Sequence, residues 1–104
     1  MFTDDAPISP DDRRPPLTPR QIELARHALG LDGRRAQSYR NRFYAGPDHD
    51  DFDDWQEMVA IGAAKVRPPV PGLSPDHAFW LTLDGAMEAL RKGERLDRED
   101  FPNL

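Results

Sequence analysis

Apolar positions recur at helical spacing in three stretches of this chain and at alternating spacing in two short ones. Over residues 19–29, Ile22, Ala25 and Leu29 share one face, with Leu24 and Ala28 beside them, the recurrence of a helix buried along one side. Its ends carry stop and start signals. Thr18 is a good N-cap, and Gln21 three residues later can reach back to close a capping box. Pro19 falls at the first helical position, where its missing N–H costs nothing. Leu17 and Ile22 form a hydrophobic staple, and Gly30 suits the left-handed residue after the last turn. A second helix is predicted over 48–61, with Phe52, Trp55 and Val59 on one face, Met58 flanking them and Gly62 closing it. A third is predicted over 83–92, capped by Thr82, with a stripe of Leu83, Ala86, Met87 and Leu90 and an end at Gly93.

The alternating stretches read as strands. Ala63 to Arg67 places Val66 inward, and Ala78 to Thr82 turns Phe79 and Leu81 one way and Trp80 the other. Pro68, Pro69, Pro71, Gly72 and Pro75 make the loop between them rigid and irregular. Residues 32–47 fit two descriptions. After the Asp32-Gly33 turn, Tyr39, Phe43 and Tyr44 suit either an extended strand or a short helical turn, ended by Ala45-Gly46-Pro47. Residues 1–16 hold four prolines and almost no large apolar side chain, so they read as a disordered Pro/Asp-rich arm. Residues 94–104 read as a charged tail that frays unless Leu96 and Phe101 tie it down. The expected core is Leu17, Ile22, Leu29, Phe43, Phe52, Trp55, Val59, Val66, Phe79, Leu81, Met87 and Leu90. The fold class that follows is mainly α with a small two-stranded β wing, as one domain over 17–93.

The order of the second half resembles that of a known family. Met58-Val59-Ala60-Ile61-Gly62 ends a helix, Ala64-Lys65-Val66-Arg67 makes a short strand, and Phe79-Trp80-Leu81-Thr82 leads through Gly85 and Leu90 into a helix. This resembles the recognition helix, wing and following helix of winged-helix bacterial transcription regulators, and the capped helix at 19–29 is similar to their first helix. The resemblance covers roughly 60 residues and implies a winged-helix-like fold. Gly85 in it lets the last helix approach the sheet closely. The chain also resembles small prophage-encoded proteins of the anti-defence, anti-CRISPR type, with its basic-aromatic stretch ahead of Gly46-Pro47-Asp48-His49-Asp50-Asp51.

Composition narrows the chemistry. Of 104 residues, 38% are hydrophobic and 32% charged, enough for one modest core. There is no cysteine, which excludes disulfides, thiol catalysis, thiolate zinc sites and iron–sulfur clusters. No apolar run approaches the ~20 residues of a membrane helix. Met1 to Pro10 carries Asp4 and Asp5 and no hydrophobic stretch, so no signal peptide is read and a cytoplasmic location is expected. Asp48, His49, Asp50 and Asp51, with Asp76 and His77, offer oxygen and nitrogen ligands, but neighbours on a helix point apart and no i, i+4 His pair exists. No metal or cofactor is expected. A Gly-rich phosphate loop and a Ser-His-Asp set are lacking, so no enzyme is expected.

The net charge of −5 is unevenly spread. Residues 17–46 hold six arginines against Glu23 and Asp32, whereas residues 47–62 hold Asp48, Asp50, Asp51, Asp53, Asp54 and Glu57 with no Lys or Arg. In winged-helix regulators the helix before the wing enters the major groove. Here that helix would begin with five carboxylates, and duplex DNA carries one negative charge per ~1.7 Å of axis. One like-charge pair at 4 Å costs about 1 kcal/mol in water and about 4 kcal/mol at an intermediate dielectric, against ~1–3 kcal/mol for a good base contact. Two functional readings follow. In the first, the six carboxylates imitate a run of phosphates and engage the basic surface of a host nucleic-acid-binding protein, as an inhibitor. In the second, Arg34, Arg35, Tyr39, Arg40 and Arg42, with Lys65 and Arg67, bind DNA as a regulator that dimerises through its terminal helices.

Overall fold

The computed structural model describes residues 14–102 and 104. The elements in chain order are α1 (Pro19–Leu29), β1 (Phe43–Ala45), α2 (Phe52–Ala60), β2 (Ala64–Arg67), β3 (His77–Leu81) and α3 (Leu83–Ala89). The result is a small mixed α/β domain with a three-stranded antiparallel sheet in the order β1-β3-β2.

Helix α1 forms where its caps place it. Gln21 N–H donates to Thr18 Oγ1 at 3.1 Å, and Thr18 N–H donates to Gln21 Oε1 at 3.0 Å. Gly30 takes φ 79° and its N–H donates back to the His27 carbonyl, the left-handed stop that glycine adopts without a side-chain clash. Leu24, Ala25, Ala28 and Leu29 are buried, and so is Arg26.

The sheet exists because residues 41–45 are extended. Phe43 lies opposite Phe79, and Phe79 opposite Val66. The same register places residue 41 opposite Leu81, where the Asn41 carboxamide stands in for a peptide group. Leu81 N–H donates to Asn41 Oδ1 at 2.8 Å and Asn41 Nδ2 donates to the Leu81 carbonyl at 3.0 Å. That side-chain pairing prolongs the ladder past Phe43. The two-stranded wing expected from sequence is therefore two strands of a three-stranded sheet.

The core lies between the sheet and the helices. Trp55 of α2 stacks on Phe79 at 5.5 Å and lies tilted on Phe43 at 5.2 Å. Met58, Leu29 and Leu81 are fully buried around this layer. Apolar burial at ~25 cal/mol per Å² makes these large side chains the main stabilising group. On the outer face of the sheet, Tyr44, Lys65 and Arg67 are exposed and Trp80 is partly covered.

Three expectations are corrected. Helix α2 starts at Phe52, not Asp48; residues 47–51 form turns instead, with His49 N–H donating to the Gly46 carbonyl and Phe52 N–H to the His49 carbonyl. Helix α3 ends at Ala89 and leaves Met87 52% exposed. The face it buries is the small one, Gly85, Ala86 and Ala89, because the helix lies against the chain at Ala63. A β-carbon on Gly85 would collide with the Ala63 carbonyl oxygen, so the close approach expected of this glycine is present.

Residues 94–102 belong to the same packed body. Leu96 and Phe101 are buried. Ser38 N–H donates to the Arg95 carbonyl and Asp97 N–H to Ser38 Oγ. Arg26 makes two bonds to the Glu94 carboxylate, at 2.5 and 2.7 Å, and a third to the Ala89 carbonyl at 3.0 Å. Glu94 is held down to about 2 by that hydrogen bond from Arg26, against the opposing effect of burial. The arm expected over 1–16 lies outside the described residues up to position 13. Arg14 pairs with Asp84 and Glu88 of α3, both at 2.7 Å.

Candidate functional site

The acidic set expected from sequence lies in the turn before α2 and along that helix, and the basic set on the segment leading into β1 and on β2. The structure sorts the six carboxylates into two kinds. Asp51 is buried and ion-paired with Arg20 of α1. Glu57 accepts from Gln21 Nε2 at 2.9 Å. These two hold α2 against α1. Asp48, Asp50 and Asp53 are exposed and Asp54 is partly exposed. Among the described residues none of these four makes a side-chain hydrogen bond or an ion pair, and α2 carries no Lys or Arg. They form an acidic shoulder at the N-terminal end of α2.

No aspartate caps this helix. Asp51 sits at the N-cap without a side-chain capping bond, and its own N–H donates to His49 Nδ1 at 3.0 Å. With Nδ1 accepting, the neutral ring carries its proton on Nε2, which leaves that edge free. The His49 ring, not an aspartate side chain, satisfies the N–H of the N-cap residue.

The basic set is only partly gathered. Tyr39 is 49% exposed, with the Arg35 and Arg40 guanidiniums 4.3 and 5.1 Å from its ring centroid. Arg40 also donates to the His27 carbonyl, at 2.7 Å from Nη2 and 3.3 Å from Nε. Tyr39 is seated on α1: its N–H donates to the Leu29 carbonyl, and a β-carbon on Gly30 would collide with its ring. Arg42 and Tyr44 follow on the β1 side, both exposed. Arg34 turns back to its own loop, 3.7 Å from Asp32. Lys65 and Arg67 stand on β2, across β3 from this group.

Around Tyr39 and Arg42 runs an open groove of about 660 Å³ along β1. His27 and His49 line it, each edge-on to Phe43 with ring centroids 5.5 and 5.9 Å from that ring. Asp100 closes one end; burial, then the nearby Asp97, raises its carboxyl above the ordinary value while Arg42 opposes the shift. His27 and His49 were missed as groove residues from sequence. Nothing in their spacing brings them together: the contact arises because Tyr39 and Arg42 N–H groups pair with the Leu29 and Ala28 carbonyls at the end of α1.

Among the described residues no group of three or more His, Asp or Glu is placed to hold a metal ion. No described helix is long and apolar enough to cross a membrane. No family model matches the chain, and no curated protein or solved structure matches it.

Proposed function

We propose that this chain is a small non-enzymatic interaction module. Its acidic shoulder engages a cationic, nucleic-acid-binding surface of a partner protein and blocks it, in the manner of an inhibitor of the anti-CRISPR type. The observation that carries this reading is the row of four unpaired carboxylates, Asp48, Asp50, Asp53 and Asp54, at the start of α2 and in the turn before it. Paired carboxylates are already neutralised; unpaired ones keep their full field for an incoming cation.

The scaffold we propose is winged-helix-like. Supporting it are the element order from α1 to α3 and the sheet order β1-β3-β2, with the Pro-rich loop 68–76 in the place of a wing. An extended segment ending in β1 takes the place of the usual helix between the first and the recognition helix. On this scaffold α2 occupies the recognition position, and its exposed face is acidic. Insertion into duplex DNA is opposed by repulsion there, so the partner is a protein that itself carries Lys and Arg.

The test is capture of partners on the immobilised chain, compared with a variant in which Asp48, Asp50, Asp53 and Asp54 are all Asn. The reading expects a basic protein retained by the native chain, released by moderate salt, and retained at least tenfold less by the variant. Equal retention by both chains overturns it.

A further inference from the structure

The groove along β1 is not used by the acidic shoulder and has a chemistry of its own. It combines two half-exposed aromatic rings with cations on a concave surface. Tyr44 is 50% exposed, and no ring or cation partner is found for it among the described residues. Arg42 is exposed, and its side chain makes no hydrogen bond or ion pair among the described residues. Tyr39 lies farther along, with two guanidiniums beside its ring. His49 also lines the groove, with Nδ1 occupied by the Asp51 N–H and Nε2 without a hydrogen-bond partner among the described residues.

An exposed tyrosine beside an unpaired arginine is the pairing that holds a nucleotide: a flat base stacks on the ring and the phosphate meets the guanidinium. We propose that this groove binds a nucleotide unit of single-stranded nucleic acid, with a base against Tyr44 and the phosphates on Arg42 and Arg40. The occupant is a strand and not a duplex for two reasons. Asp48 and Asp50 are exposed and flank the groove-lining His49 in the chain, and a rigid double row of phosphates is repelled by them. A base inside a duplex has its faces covered by its neighbours and cannot stack on a side chain. The strand runs over Arg42 and leaves Asp48 and Asp50 to solvent.

The site is independent of the proposed protein partner, and one set of variants separates the two. Binding of a fluorescently labelled dT10 to the full chain is followed by anisotropy at low salt. The native chain is expected to bind it, and Arg42→Gln and Tyr44→Thr each to weaken binding by about tenfold, the range of one stacking or phosphate contact. Both side chains are exposed, so folding is retained. Lys92→Gln, exposed beyond the end of α3 and not among the groove residues, is expected to leave binding unchanged, and the Asp48→Asn, Asp50→Asn pair to tighten it. Two cationic contacts give a salt slope near −1.4, so affinity is expected to drop about sevenfold between 50 and 200 mM salt. A titration of dTMP distinguishes the source of the nucleotide: affinity that rises from dTMP to dT10 assigns a strand, and equal affinity assigns a free nucleotide and removes the strand. The proposal is overturned by no binding at roughly 0.1 mM protein, by variants that bind as the native chain does, or by a duplex that binds as tightly as dT10.

Discussion

The acidic shoulder and the groove along β1 lie side by side, yet their charges are used in opposite ways. At the shoulder the sequence offers six carboxylates close together, and folding withdraws two of them, Asp51 to Arg20 and Glu57 to Gln21. At the groove the cations come from one short stretch, but the surface that makes them useful is assembled from α1, β1 and the turn before α2. A run of like charges in a sequence overstates a surface, because some of its members hold the fold. A scattered aromatic and basic stretch understates one, because its partners arrive from elsewhere in the chain.

Trp55 joins the two regions, and removing it is expected to have the largest effect. Its ring lies on Phe43, in the groove wall, and anchors α2, which carries the shoulder. Trp55→Ala is expected to cost ~3–5 kcal/mol, seen as a lower urea midpoint, with both surfaces losing their binding together. A variant that keeps one surface and loses the other would show that they are not built on one core.

Next comes acid. Glu94 is a third kind of carboxylate, neither on the shoulder nor in the groove, and its value of about 2 in the folded chain lies well below the ordinary 4.5. A depressed acid stabilises the fold above its unfolded value and loses that contribution as pH falls through the folded one. On the order of 3 kcal/mol is therefore expected to vanish between about pH 5 and pH 2. Asp100 acts in the opposite sense, since its raised value means that protonation relieves the fold. Urea midpoints across this range measure the balance, and Glu94→Gln is expected to flatten the curve. A native curve already flat would remove the Arg26–Glu94 pair from the account.

The smallest effect separates the two kinds of shoulder carboxylate. Asp51→Ala leaves Arg20 without its partner and is expected to cost about 1 kcal/mol, modest because Arg20 is largely exposed. Asp53→Asn, with no partner to lose, is expected to stay within about 0.5 kcal/mol. Equal costs would mean that the shoulder is structural throughout.

Much of the fold was legible in the sequence. The capping box at Thr18 and Gln21, the Gly30 stop, the Thr82 cap and the close approach at Gly85 are local signals, and each is met by a local bond or contact. What was not legible depends on groups distant in the chain. The side-chain ladder of Asn41 with Leu81 decides that residues 43–45 are a strand, and no periodicity announces it. Buried Arg26 reads as a surface residue until Glu94 and the Ala89 carbonyl are placed around it. Met87 follows the helical stripe yet faces solvent, because backbone proximity at Gly85 turns the small face of α3 inward. For the candidate sites, residue type gave the charges and aromatics but not their division into committed and free members. That division depends on Arg20, Gln21 and His27, which lie on α1.

Competition tests the shoulder most directly. The captured basic partner is loaded with its nucleic acid, and increasing amounts of the chain are added while the bound nucleic acid is followed by anisotropy. Displacement is expected, with the chain bearing Asn at positions 48, 50, 53 and 54 failing to displace. A stable ternary complex of partner, nucleic acid and chain would contradict it, since two occupants of one cationic surface cannot be seated together.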